Sequence, residues 1–130
     1  MTEELSRTSA LASRHTALGS GLEDWNGMGT AWTYNTNPNE EHDAVRTSAG
    51  MFDMSPLKKV FVRGVDAMAV LDHLTTRDMS KVAAGQAAYL SALTEQGTMA
   101  DDAIVSNNGS DEWMIAHGSG QTMELLGVCR

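Results

Sequence analysis

The chain has 130 residues, 42% of them hydrophobic and 20% charged, and its seventeen acidic and nine basic side chains leave a net charge of −8. That length suits one hydrophobic core and the composition is ordinary for a globular protein, so the expectation is a single folded domain over 1–130, with neither disorder nor a coiled coil. No apolar run nears the roughly 20 residues of a membrane span, the start lacks a signal-peptide pattern, Cys129 has no partner for a disulfide, and no basic face is evident, so a cytoplasmic protein without membrane or nucleic-acid partners is expected.

Residues 3–18 place Leu5, Leu11 and Leu18 on one helical stripe, ending where Gly19 and Gly21 can take positive φ. Next, "LEDWNGMGTAWTYNTN" reads as a loop anchored by Trp25, Trp32 and Tyr34, so residues 1–36 are expected to be a helix followed by an aromatic loop. Asn37, Pro38 and Glu40 stand as N-cap, first helical residue and capping-box partner, which predicts a helix to about Ala49, closed by Gly50. "KKVFVRG" is a strand, and its Lys58, Lys59 and Arg63 form a basic knot better explained as a solvated edge than as a phosphate track. Asp66 caps a helix carrying Ala67, Val70, Leu71 and Leu74 at helical spacing.

From Tyr89 onward three strands are expected, at about 88–94, 98–106 and 111–116, joined as an antiparallel meander by "TEQG" and "NNGS" turns. A last helix opens with Ser119 as cap and Met123 and Leu126 on its apolar stripe, and the chain ends before that stripe is complete. Helices followed by consecutive hairpin strands predict an α+β fold, with residues 37–130 as its body.

His15, His42, His73 and His117 are dispersed, and the ligand types in "EEHD" at 40–43 point in different directions from a helix, so no metal site is expected. "HGSGQTM" lacks both the third glycine of a dinucleotide loop and the Gly-Lys-Ser/Thr of a phosphate loop, and Gly-x-Ser-x-Gly is absent. The sharper signal is "TEQGTMADDAIVSN". On a strand Asp101 shares a face with Met99, Ala103 and Val105, while Asp102 shares one with Ala100 and Ile104, so one carboxylate must face an apolar side. Such a carboxylate is either part of a site that a ligand completes, or a charge that protects an edge strand or is turned outward by a bulge.

The ordered series "EHDAVRTSAGMFDMS", "VFVRGVDAMAVLDHL", "GQAAYL", "LTEQGTMADDAIV" and "DEWMIAHG" resembles the N-terminal part of the glycine cleavage T-protein family of aminomethyltransferases and related demethylases. The resemblance implies tetrahydrofolate as cofactor, with its N5 accepting a one-carbon unit from a small-molecule donor. It also implies that Asp102, the second carboxylate of the pair, touches the pterin and stabilises the charge that N5 develops, with Asp101 left as an outward charge or a support. Leu57, Tyr89, Ile115 and His117 fall at positions where the family lines its folate pocket. Family members are much longer, so the chain corresponds to an N-terminal portion, with a second polypeptide or a longer reading frame supplying the rest. The alternatives are a folate-binding module without catalysis and a generic structural α+β domain.

Overall fold

The computed structural model describes residue 5 and residues 7–118 and 121–128. The chain divides into two compact units, Met1–Pro56 and Leu57–Arg130. No helix among the described residues is long and apolar enough to cross a membrane.

The first unit contains β1 (Arg7–Thr8), α1 (Ala12–Ala17), β2 (Leu22–Trp25), β3 (Met28–Ala31) and α2 (Pro38–Thr47). The three strands form one sheet in the order β1-β3-β2. Of the helix expected over 3–18, the described residues hold α1 alone; residues 3, 4 and 6 lie outside the described residues. Arg7 and Thr8 pair as a strand with β3, and Ser9 Oγ accepts a hydrogen bond from the N–H of Leu11 at 2.9 Å, which starts the helix late. Gly19 does take positive φ, at 86°, just beyond the helix, whereas Gly21 does not.

The aromatic loop is corrected to a hairpin. Asn26 and Gly27 have φ of 55° and 75°, the left-handed pair of a tight two-residue turn, and β2 and β3 pair from Trp25–Met28 to Leu22–Ala31. Trp25 and Trp32 do contact each other, with ring centroids 5.5 Å apart. The start of α2 agrees with expectation at Asn37 and Pro38: Asn37 Oδ1 accepts from the N–H of Asn39 at 3.0 Å, with Pro38 in the first turn, while Glu40 makes no capping-box bond among the described residues. Its end comes at Thr47 rather than Ala49, with Ser48 as C-cap. Gly50 serves close packing: a Cβ there would lie 2.4 Å from Val45 Cγ2.

The second unit contains β4 (Lys58–Arg63), α3 (Ala67–Leu74), a 3-10 turn (Met79–Lys81), β5 (Ala87–Leu93), β6 (Met99–Gly109), β7 (Glu112–His117) and α4 (Gln121–Val128). Its sheet has the order β4-β7-β6-β5 with every neighbour antiparallel, so the α+β reading and the meander are borne out. Gly97, at φ 75°, turns β5 into β6, and Ser110 and Asp111, at 52° and 57°, turn β6 into β7. Asp66 occupies the N-cap of α3 without a side-chain capping bond. Ser119 lies outside the described residues.

Alternation puts Ala88, Leu90, Ala103, Val105, Trp113 and Ile115 on the inner face of this sheet, where they pack with Ala67, Leu71, Met79 and Val82, joined by Val60, Val62 and Leu126. Burying one Leu or Ile side chain in such a layer contributes about 2 kcal/mol. The opposite face presents Phe61, Tyr89 and Ile104, all exposed.

Candidate functional site

The two adjacent aspartates stand on opposite faces of β6. Asp102 is on the exposed face, and its Oδ2 accepts a hydrogen bond from Tyr89 Oη at 2.7 Å. The register explains the meeting: Tyr89 is opposite Ile104 and Ser91 opposite Asp102, so the long phenol reaches diagonally across one strand step. The hydrogen bond from Tyr89 and the negative charge of Asp102 push the Tyr89 hydroxyl above its ordinary pKa. Among the described residues, Tyr89 is the one hydrogen-bond donor to this carboxylate. Ile104 stands directly opposite Tyr89 on the same face, and Met99 at the start of β6 and Phe61 on β4, which β7 separates from β6, are exposed apolar side chains.

Asp101 is the carboxylate that faces the apolar side, not an outward charge. It is 4% exposed; its Oδ2 accepts from Thr122 Oγ1 of α4 at 2.8 Å and its Oδ1 from the N–H of Asp102 at 3.0 Å. His117 is fully buried on the same face, with Nδ1 3.3 Å from Asp101 Oδ2 but outside hydrogen-bonding geometry. Burial pushes the His117 imidazole below its ordinary pKa, with Lys58 adding to the effect and the charge of Asp101 opposing it. The cluster Asp101, His117 and Thr122 therefore ties β6, β7 and α4 together by polar contacts inside an apolar layer. The motif reading singled out the pair and left open which member faces inward, because strand alternation fixes only that the two differ; of the two roles the resemblance left for Asp101, an outward charge or a support, its burial excludes the first.

The five residues named from the resemblance are thus divided. Tyr89 and Asp102 come together on the exposed face, while Ile115 and His117 are buried on the inner face, with the sheet between them and Asp102. Leu57 is half-buried in the bend that leads into β4. The basic knot is solvated in part: Arg63 is ion-paired with Glu112 at 2.6 Å and lies over the Phe61 ring at 4.7 Å.

The first unit holds a second polar constellation that the sequence pattern did not reveal. Asp53 Oδ2 accepts from Ser9 Oγ at 2.5 Å and from His15 Nε2 at 2.9 Å, Asp53 Oδ1 accepts from the N–H of Ser55 at 3.0 Å, and His15 Nδ1 meets Tyr34 Oη at 2.7 Å. Desolvation pulls the Asp53 carboxyl upward, but hydrogen bonds from Ser55, Ser9 and His15 outweigh it and hold the group far below the ordinary carboxylate range. The available signal was Asp53 within "GMFDMS", a string whose partners lie nearly forty and more residues earlier. Among the described residues, no group of three or more His, Cys, Asp or Glu side chains is placed to hold a metal ion.

Residues 11–128 match the model of the GCVT N-terminal domain. The chain is 50% identical over 120 residues to the heme-dependent oxidative N-demethylase gamma subunit of Ectopseudomonas mendocina, covering 92% of this chain and 32% of that protein. It is 36% identical over 119 residues to the aminomethyltransferase of Rubrobacter xylanophilus, with the same two coverages of 92% and 32%. The crystal structure of glycine cleavage system aminomethyltransferase T from Bartonella henselae superposes with a TM-score of 0.78 at 26% identity, over 94% of this chain and 35% of that one. The chain therefore spans about a third of the length of these relatives.

Proposed function

Because the chain belongs to the GCVT N-terminal domain family, we propose that it is the N-terminal portion of a tetrahydrofolate-dependent protein that transfers a one-carbon unit, aminomethyl or methyl-derived, from an amine. The observation that carries this reading is the Asp102–Tyr89 pair on an exposed sheet face, beside the exposed apolar side chain of Ile104. A pterin is a flat ring system with donor groups along its edge, so it needs an acceptor at that edge and an apolar surface to lie against. Asp102 offers a carboxylate with one donor already engaged, and Ile104 beside it supplies apolar surface, so the residues present suit the cofactor.

When bound, tetrahydrofolate supplies the nitrogen that accepts the carbon unit. The part played by this chain is electrostatic. Asp102 holds a fixed negative charge where positive charge grows in the transition state, which favours that state over the ground state. Tyr89 donates to Oδ2, orients the carboxylate and leaves Oδ1 for the ligand. Leu57 would add an apolar contact from the start of β4, and Ile115 and His117 would act from the inner face by fixing the strands on which that surface is built.

Relatives about three times as long support a protein in which further polypeptide covers this face. The 50% identical relative is named as a subunit of an N-demethylase, which supports a role beside an amine-demethylating partner that delivers the carbon unit. In the complete protein carrying this chain, Asp102→Asn should slow transfer to tetrahydrofolate by about 10²–10³-fold, as for the loss of one electrostatic group, while calorimetric folate binding persists. Turnover within a factor of about two of wild type would overturn the assignment of Asp102, and folate binding with no transfer by the wild type would favour a non-catalytic folate module.

A further inference from the structure

We propose that the open cavity beside the free edge of β5 is a binding site for the oxyanion of a small molecule, a carboxylate or phosphate group held by Arg77, Lys81 and the donors around them. This inference is independent of the one-carbon reading. The cavity has a volume of about 340 Å³ and is lined by Thr76, Arg77, Asp78, Lys81, Gln86 and Ala87 among others. That is the size range of a small-ligand pocket.

Its polar groups are mostly donors. Arg77 has no hydrogen-bond or ion-pair partner among the described residues. Gln86 Oε1 is occupied as an acceptor from the N–H of Ala83 at 3.1 Å, which leaves the amide NH₂ to donate. Thr76 Oγ1 likewise accepts from the N–H of Ser91 at 3.2 Å, and its hydroxyl proton is available.

The sheet edge adds another donor. β5 is an edge strand, and the N–H of Thr76 donates to the carbonyl of Ser91 at 3.0 Å, so the backbone groups of Ser91 point away from β6. Two-residue alternation along an antiparallel strand aims those of Tyr89 and Ala87 the same way, and Ala87 lies at the cavity.

The carboxylate in the lining does not cancel these donors. Asp78 accepts from the N–H of Ser80 at 3.1 Å and from Ser80 Oγ at 2.5 Å, and it is paired with Lys81 at 3.0 Å. Hydrogen bonds from Ser80, then Lys81, hold its carboxyl below the ordinary range, so it stays ionised and engaged. What remains unmatched is the planar fork of Arg77, whose geometry suits a two-oxygen anion. The arrangement is notable in a chain of net charge −8, whose overall field repels anions, so binding here depends on these local donors.

The test is an amide NMR titration of the ¹⁵N-labelled 130-residue chain with sodium phosphate and, separately, sodium glutamate, at ionic strength held constant with sodium chloride. Saturable shifts at Thr76, Arg77 and Ala87 are expected. Response to phosphate alone assigns a phosphate group, response to glutamate alone a carboxylate, and both support the site. Arg77→Gln, at an exposed position that leaves the fold intact, should weaken binding by about tenfold or more, with Lys81→Gln as a second, milder variant. No saturable shift with either probe, or an unchanged affinity in Arg77→Gln, would overturn the proposal.

Discussion

Asp53→Ala removes the centre of the first unit's polar constellation and should destabilise that unit by about 3 kcal/mol. The carboxylate accepts from Ser9 Oγ, His15 Nε2 and the N–H of Ser55, and both Ser9 and His15 are 8% exposed. Bonds to a charged acceptor are worth about 1.5–3 kcal/mol each when little water can replace them, but the unfolded chain recovers solvation, and the desolvation cost of the anion is refunded on its removal. About 3 kcal/mol is the net of those opposing amounts, at the lower end of the cost of breaking a buried pair. Because the folded carboxyl lies below its unfolded value of 3.8, its contribution is fully present above that value and fades as the pH falls through and below it. The assay is urea unfolding followed by amide NMR intensities of residues 7–55, since two compact units need not melt in one transition. At neutral pH the midpoint for these amides should drop sharply while those of β5 to β7 hold. A loss under about 1 kcal/mol, or an equal gap between variant and wild type at pH 7 and well below pH 3.8, would refute this account.

Two further outcomes follow from local geometry. Gly27→Val places a β-branched residue at φ 75° in the Asn-Gly turn, which should cost the β2–β3 hairpin about 2 kcal/mol and be visible as faster hydrogen exchange at Leu22–Ala31. Asp102→Asn removes the charge that raises the Tyr89 hydroxyl, so the Tyr89 ring resonances should titrate at lower pH, closer to 10.0, and an unshifted midpoint would mean that the 2.7 Å bond is not formed in solution.

Where the sequence was legible, several local signals agreed. Lys58–Arg63, Ala87–Leu93, Met99–Gly109 and Glu112–His117 carry β-rich alternation bounded by turn residues, and all four became strands of one antiparallel sheet. Asn37 and Pro38 marked the start of α2 because capping is a contact between near neighbours. The first thirty-six residues were less legible because three leucines at helical spacing outvoted two polar signals. One was Arg7-Thr8-Ser9, which prefers pairing and side-chain bonds to a helix; the other was Asn26-Gly27, the strongest short hairpin signal in the chain, masked by the tryptophans around it.

The candidate site shows a different kind of boundary. Alternation on β6 requires that Asp101 and Asp102 face opposite ways, but which face becomes the inner one is decided by where α3 and α4 pack, and that information is not local. A one-residue slip would bury Asp102 and expose Asp101 together with Ala103 and Val105, at a loss of apolar burial that the core residues forbid. The same constraint divides Ile115 and His117 from Tyr89, because β7 and β5 each set their faces by pairing with β6. A carboxylate buried at 4% exposure is retained only with donors in place, and Thr122 on α4 supplies one of them. Docking of α4 and orientation of Asp102 are thereby linked through one residue: the side chain of Asp101 holds the helix by Oδ2 and the backbone of Asp102 by Oδ1, so the exposed carboxylate rests on a strand whose register is fixed from beneath.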